Sequence, residues 1–183
     1  MIKKRIFSVM LCIMLIVFAS CAAKQGSGLV MLHQGSKDIS LIEQIVKEEM
    51  NIDLPDDITV QLQFDDFDSE GTGSAFCTAD FTNSPLASEM TAQFTIIPNW
   101  TKATEVPERI ISGITNACER SSLTAPDFKN GYYFEKYNCW AESGEVIVYT
   151  KEEATEIEII TYGFWDINTS MLYYYCTTVA DQT

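Results

Sequence analysis

The chain has 183 residues, of which 12 are basic and 26 acidic, giving a formal charge of −14 with 46% hydrophobic residues. Acidity on this scale excludes nucleic acid and anionic lipid headgroups as partners, because no basic patch is available to displace counterions from phosphates. The length suits one domain with a sizeable core and is too short for two independent ones.

The chain opens with Lys3, Lys4 and Arg5, an unbroken apolar run from Ile6 to Phe18, and the small residues Ala19 and Ser20 before Cys21. That run is well short of the roughly 20 apolar residues a spanning helix needs, so residues 1–20 read as a signal peptide. The stretch Phe18-Ala19-Ser20-Cys21 resembles the lipobox of bacterial lipoproteins, with Phe18 where Leu is commoner. The resemblance implies cleavage before Cys21, acylation of that cysteine (diacylglycerol and palmitate chemistry), and a mature protein anchored to a membrane of the cell envelope. It would face the periplasm or the exterior. The resemblance covers only this stretch, and no family is identified for the rest of the chain. Loss of the signal removes Lys3, Lys4 and Arg5, leaving nine bases against 26 acids, a charge of −17.

Residues 21–37 form the lipidated N-terminus and a tether. Gly26, Ser27, Gly28, Gly35 and Ser36 surround the apolar patch from Leu29 to Leu32, a composition that makes a flexible spacer. The lone histidine, His33, lies there, which disfavours zinc ligation by nitrogen and sulfur. Cys77, Cys118, Cys139 and Cys176 remain for the exported domain, and an even count in an oxidising compartment predicts two disulfides. A bridge from Cys118 to Cys139 is favoured because both face the expected core.

Residues 38–183 form a single domain. Ser40 and Glu43 make a capping box for a helix running to about Met50, with Ile42, Val46 and Met50 on one face. Ile58, Val60, Leu62 and Phe64 alternate with polar residues and predict a strand, Ala75 to Phe81 a second, and Met90 to Ile97 a third. A second helix follows Thr104, with Ile110, Ile114 and Cys118 at four-residue steps and Gly113 marking close packing on the sheet. Ser121 to Asn130 is a loop. All eight tyrosines lie from Tyr132 onward, in a region that reads as strands. Ser143-Gly144 is taken as a two-residue hairpin turn, which sets Trp140 opposite Ile147 and Cys139 opposite Val148. A further turn near Glu152-Glu153 sets Val148 against Ile157 and Val146 against Ile159. The inward face is then Tyr137, Cys139, Ala141, Val146, Val148, Ile157 and Ile159, and Met171 to Val179 supplies the last strand. The fold class is α+β, an antiparallel sheet with two helices packed on one face, and the two passes of helix plus strands suggest tandem units.

Three constellations could carry function. The opposite sheet face would display Tyr132, Phe134, Trp140, Tyr149 and Tyr162, whose aromatic bodies and polar tips suit a protein or glycan partner. Glu135, on the strand face of Tyr133 and Tyr137, is a candidate general acid, since burial among aromatics raises a carboxyl. The acidic loop from Asp65 to Gly71 resembles the front of an EF-hand calcium loop, with Asp66, Asp68 and Glu70 as candidate ligands, although Cys77 stands where that family has a bidentate glutamate. The leading reading is a non-catalytic, lipid-anchored binding or accessory module without a cofactor. Its rivals are a carboxylate-dependent hydrolase of envelope polymers and a calcium-stabilised structural domain.

Overall fold

In the computed structural model, residues 39–68, 72–140, 146–149 and 159–178 are described, so Cys21, His33, the tether and Glu70 lie outside the described residues. Helix α1 (Ile39–Met50) is followed by strands β1 (Val60–Asp65) and β2 (Ser74–Asp80), helix α2 (Ala87–Phe94) and the short strand β3 (Trp100–Lys102). Helix α3 (Glu108–Arg120) then leads into β4 (Gly131–Trp140), β5 (Val146–Tyr149), β6 (Ile159–Asp166) and β7 (Met171–Thr178). The strands form one antiparallel sheet in the order β1-β2-β7-β6-β4-β3, with β5 pairing the far end of β4. The α+β class therefore holds, and both passes of helix plus strands share one sheet through the β2–β7 pairing.

Two cores lie back to back across this sheet. Along β7, Leu172, Tyr174 and Cys176 belong to one core and Tyr173 to the other, the two-residue period of a strand buried on both faces. The first core is covered by α1, through Ile42, Val46 and Met50, and by α2, through Met90 and Phe94. The second is covered by α3, through Ile110, Ile114, Ala117 and Cys118. The helices are thus divided between the faces, in place of the one-sided layer expected. The physical reason is in β6, whose eight residues are all buried: a strand with no solvent side needs a cover on each face.

Three local expectations change. The segment from Met90 to Ile97 is largely helical: Met90 and Phe94 are buried under either period, whereas Ala92 and Ile96, which an alternating strand would bury, are exposed, Ile96 to 80%. The hairpin register slips by one residue, since Trp140 pairs with Val146, Cys139 with Ile147 and Tyr137 with Tyr149, enclosing residues 141–145. An odd-length connection replaces the two-residue turn, and a slip of one exchanges strand faces. Finally, β6 lies beside β4 and not β5. Asn138 pairs with both Val148 and Ile159, and Tyr137 and Ile159 consequently sit in opposite cores.

The first face is closed by aromatic packing. Phe94 lies 4.3 Å from Trp100 and 5.5 Å from Trp165 between ring centroids, and Trp165 meets Phe81 edge-on at 5.3 Å. The Trp100 indole donates to the Met50 carbonyl at 2.9 Å, satisfying an acceptor that the end of α1 leaves open. Gly163 makes this approach possible, because a Cβ there would stand 2.8 Å from Met50 Cε and 3.1 Å from the Trp100 ring.

Candidate functional site

Helix α3 crosses the second face and is fastened near both ends by an arginine. In its first turn, Arg109 makes a two-pronged ion pair with Glu135 of β4 through Nε and Nη2. In its last, Arg120 pairs with Asp66 in the β1–β2 connection and lies 3.8 Å over the Phe64 ring. A cation in the first turn works against the helix dipole, so the placement of Arg109 is explained by the carboxylate it reaches. That contact raises Arg109 further above its ordinary value, chiefly through the hydrogen bonds to Glu135. Burial, and then the Glu135 carboxylate, raise the neighbouring Tyr137 phenol.

Between these fastenings, beside the buried stripe of the helix, lies a cleft of about 300 Å³. The sheet side is walled by Tyr162 of β6 with Tyr175 and Thr177 of β7. The two tyrosine rings stack at 6.2 Å with an interplanar angle of 27°. On the helix side stand Arg109, Ser112, Gly113 and Asn116, whose spacing of three, four and seven residues from Arg109 places them on one stripe. This stripe runs beside the apolar one of Ile110, Ile114, Ala117 and Cys118. Ser112 and Asn116 are exposed, Tyr175 is half-buried, and Tyr162 is buried. Gly113 sets the width, since a Cβ there would lie 3.2 Å from the Tyr162 ring and 3.3 Å from that of Tyr175.

The candidate residues separate accordingly. Tyr132 and Phe134 pack in the first core, where Phe134 lies 5.6 Å from Trp100 and Tyr132 stacks on Phe94 at 6.1 Å. Tyr162 belongs to the second core. The expected aromatic face therefore does not exist as one surface: Glu135 pairs with Tyr162 and Phe134 with Gly163, which sends Phe134 and Tyr162 to opposite sides. Phe134 is 3% exposed and Tyr162 1%, both covered by the protein's own helices. The side chains of Trp140, Tyr149 and Cys139 lie outside the described residues.

Glu135 directs both carboxylate oxygens to the Arg109 guanidinium, so the oxygen a general acid would use to pass a proton is engaged. Glu135 holds Arg109 at the edge of the cleft. In the acidic loop, Asp66 is held by Arg120 and Asp68 accepts from the Thr72 amide at 2.9 Å. Among the described residues no three His, Cys, Asp or Glu side chains converge as metal ligands. Cys77, Cys118 and Cys176 are buried free thiols. Cys118 lies on the other side of the sheet from Cys77 and Cys176, which rules out a Cys77 to Cys118 bridge through the fold. Cys77 and Cys176 sit on paired strands of one face, but diagonally, since Cys176 is opposite Ala75 and Cys77 opposite Tyr174. Diagonal neighbours are about 7–8 Å apart, beyond the usual disulfide span. Burial pushes the Cys118 thiol up to about 11 and that of Cys176 up to about 12, which suits inert packing groups.

Sequence reasoning passed over Arg109, Ser112 and Asn116. The available signal was a polar stripe in step with a glycine and flanking an apolar stripe of the same helix. No protein-family model matches the chain, and neither does any curated protein or solved structure. The functional reading therefore rests on the geometry of its own residues.

Proposed function

We propose that this chain is a lipid-anchored, non-catalytic protein of the cell envelope that holds a ligand in the cleft between α3 and the sheet. The observation that carries the binding part is the cleft itself, an opening of about 300 Å³ where the half-buried Tyr175 meets the exposed Ser112 and Asn116, at the lower bound of ligand sites. The anchoring part is supported by the basic, apolar and small-residue run ending at Cys21. Binding is preferred to hydrolysis because Glu135, the carboxylate nearest this cleft in the β4–β6 ladder, is engaged by Arg109.

Two measurements on cells producing the full chain test this reading. A fatty-acid label should enter the wild-type protein and hold it in the membrane fraction, while Cys21→Ala should carry no label. A mature chain that begins elsewhere and bears no acyl mass would remove the anchor. Envelope material captured by the wild-type protein should be lost from Asn116→Trp, which plugs the rim from an exposed position. Capture indifferent to that plug would remove the cleft as the binding site.

A further inference from the structure

We propose that the cleft under α3 receives a neutral saccharide ring, an inference that rests on the binding reading above. The first argument is charge. Among the described residues, Arg109 is the one charged side chain lining the cleft, and its charge is matched by Glu135. A cation would find no carboxylate among the described lining residues, and an anion would approach a mature chain with 26 acids and nine bases to meet a guanidinium already neutralised. Uncharged ligands encounter neither obstacle.

The second argument is shape and bonding. A pyranose is apolar on its ring faces and hydroxylated around its edge. The half-buried Tyr175 ring supplies the apolar wall, and the rim supplies the exposed Ser112 and Asn116. Asparagine offers both donors and an acceptor, and a hydroxyl offers either, so the rim can answer hydroxyls that donate and hydroxyls that accept. The volume of about 300 Å³ corresponds to about ten water molecules, room for one ring. Ser112 and Asn116 are exposed, so a longer glycan could leave past them into solvent.

The test uses the full acylated protein in a detergent without sugar headgroups, titrated by NMR with glucose, N-acetylglucosamine and their disaccharides. Glucuronate and glucosamine serve as charged controls. Saturable binding of a neutral sugar is expected, with a Kd on the order of 1 mM for so small a ligand. The paired substitution Ser112→Ala with Asn116→Ala should weaken it at least tenfold at unchanged melting temperature, because both side chains are exposed. Stronger binding of either charged control would overturn the ligand class and leave cleft binding standing. So would the absence of saccharide binding while envelope capture still depends on the cleft. Saccharide binding unaffected by the paired substitution would overturn the site. The wider binding reading falls only on the separate result that Asn116→Trp leaves envelope capture intact.

Discussion

The two faces of the sheet are covered in different ways. One carries two helices and a set of interlocked aromatics, with Trp165, Phe81 and Phe94 at most 1% exposed. Among the described residues the other carries a single helix, fastened by Arg109 and Arg120 and seated on the tyrosines at Gly113, with a cleft along its polar edge. Close packing under the first face concentrates the hydrophobic stabilisation there, and the opening of about 560 Å³ on that side lies above the core, between the ends of α1 and α2. The second face buries its core as fully under α3 but leaves Tyr175 half-buried beside the exposed Ser112 and Asn116. The difference teaches where to look for function in a chain with no catalytic motif: at the edge of a helix where exposed polar residues meet a half-buried tyrosine.

The sharpest way to break this contrast is to truncate one aromatic on each face. Trp165→Ala removes a fully buried ring whose indole donates to Thr91 of α2 at 3.0 Å. It should cost about 3 to 5 kcal/mol, read by urea denaturation. Tyr175→Ala removes a half-buried ring from the edge of the cleft and should cost about 1 to 2 kcal/mol, because part of the side chain is already in water. Equal losses would show that the second face is as tightly closed as the first.

Each face also holds an ion pair anchored on β4, and these make the next comparison. On the first face Lys136 meets Glu49 of α1 at 2.9 Å, with side-chain exposures of 19% and 8%. On the second, Arg109 and Glu135 are 36% and 13% exposed. Lys136→Ala leaves Glu49 in the deeper site and should cost about 3 kcal/mol. Arg109→Ala, discounted for solvent screening, should cost about 1 to 2 kcal/mol. It should also disturb ligand capture, which Lys136→Ala should not. A double-mutant cycle on each pair measures the coupling, and the reverse order of the two would contradict the assignment of the drier face.

Much of this architecture was legible in the chain. The step from Ile42 to Val46 to Met50, the alternation from Ile58 to Phe64 and the spacing of Ile110, Ile114 and Cys118 each carry their own period, and each element formed close to where its period lies. The glycine at 113 was readable as a point of close packing, and it is one. What was not legible depended on non-local pairing. Met90 and Phe94 satisfy both a two-residue and a helical period, so only the exposure of Ala92 and Ile96 decides between them. The partner of β4 could not be read from the nearest turn, because β6 comes from beyond it in sequence and pairs along eight residues of β4. With that partner misassigned, Tyr162 was placed beside Phe134 when it lies on the far side of the sheet. The cleft was hidden for the same reason, since its walls come from α3, β6 and β7 and meet only once the sheet order is set.

The smallest expected effect discriminates most finely, because its sign is the informative part. In an unobstructed helix interior, glycine to alanine stabilises by about 1 kcal/mol through the backbone entropy that alanine does not lose. At Gly113 that gain meets a wall, since the added Cβ would lie 3.2 Å from Tyr162 and 3.3 Å from Tyr175. Tyr162 is 1% exposed and stacked on Tyr175, so it can move little, and α3 cannot lift freely while Arg109 and Arg120 fasten it. Tyr175 is the half-buried neighbour and is the one to yield. The helix gain and the crowding should nearly cancel, leaving Gly113→Ala within about 0.5 kcal/mol of the parent on the destabilised side, with a narrower cleft and weaker ligand capture. A gain of a full 1 kcal/mol in thermal unfolding, with capture unchanged, would mean that the helix has slack over the tyrosines and that the width of the cleft is not set by the missing side chain.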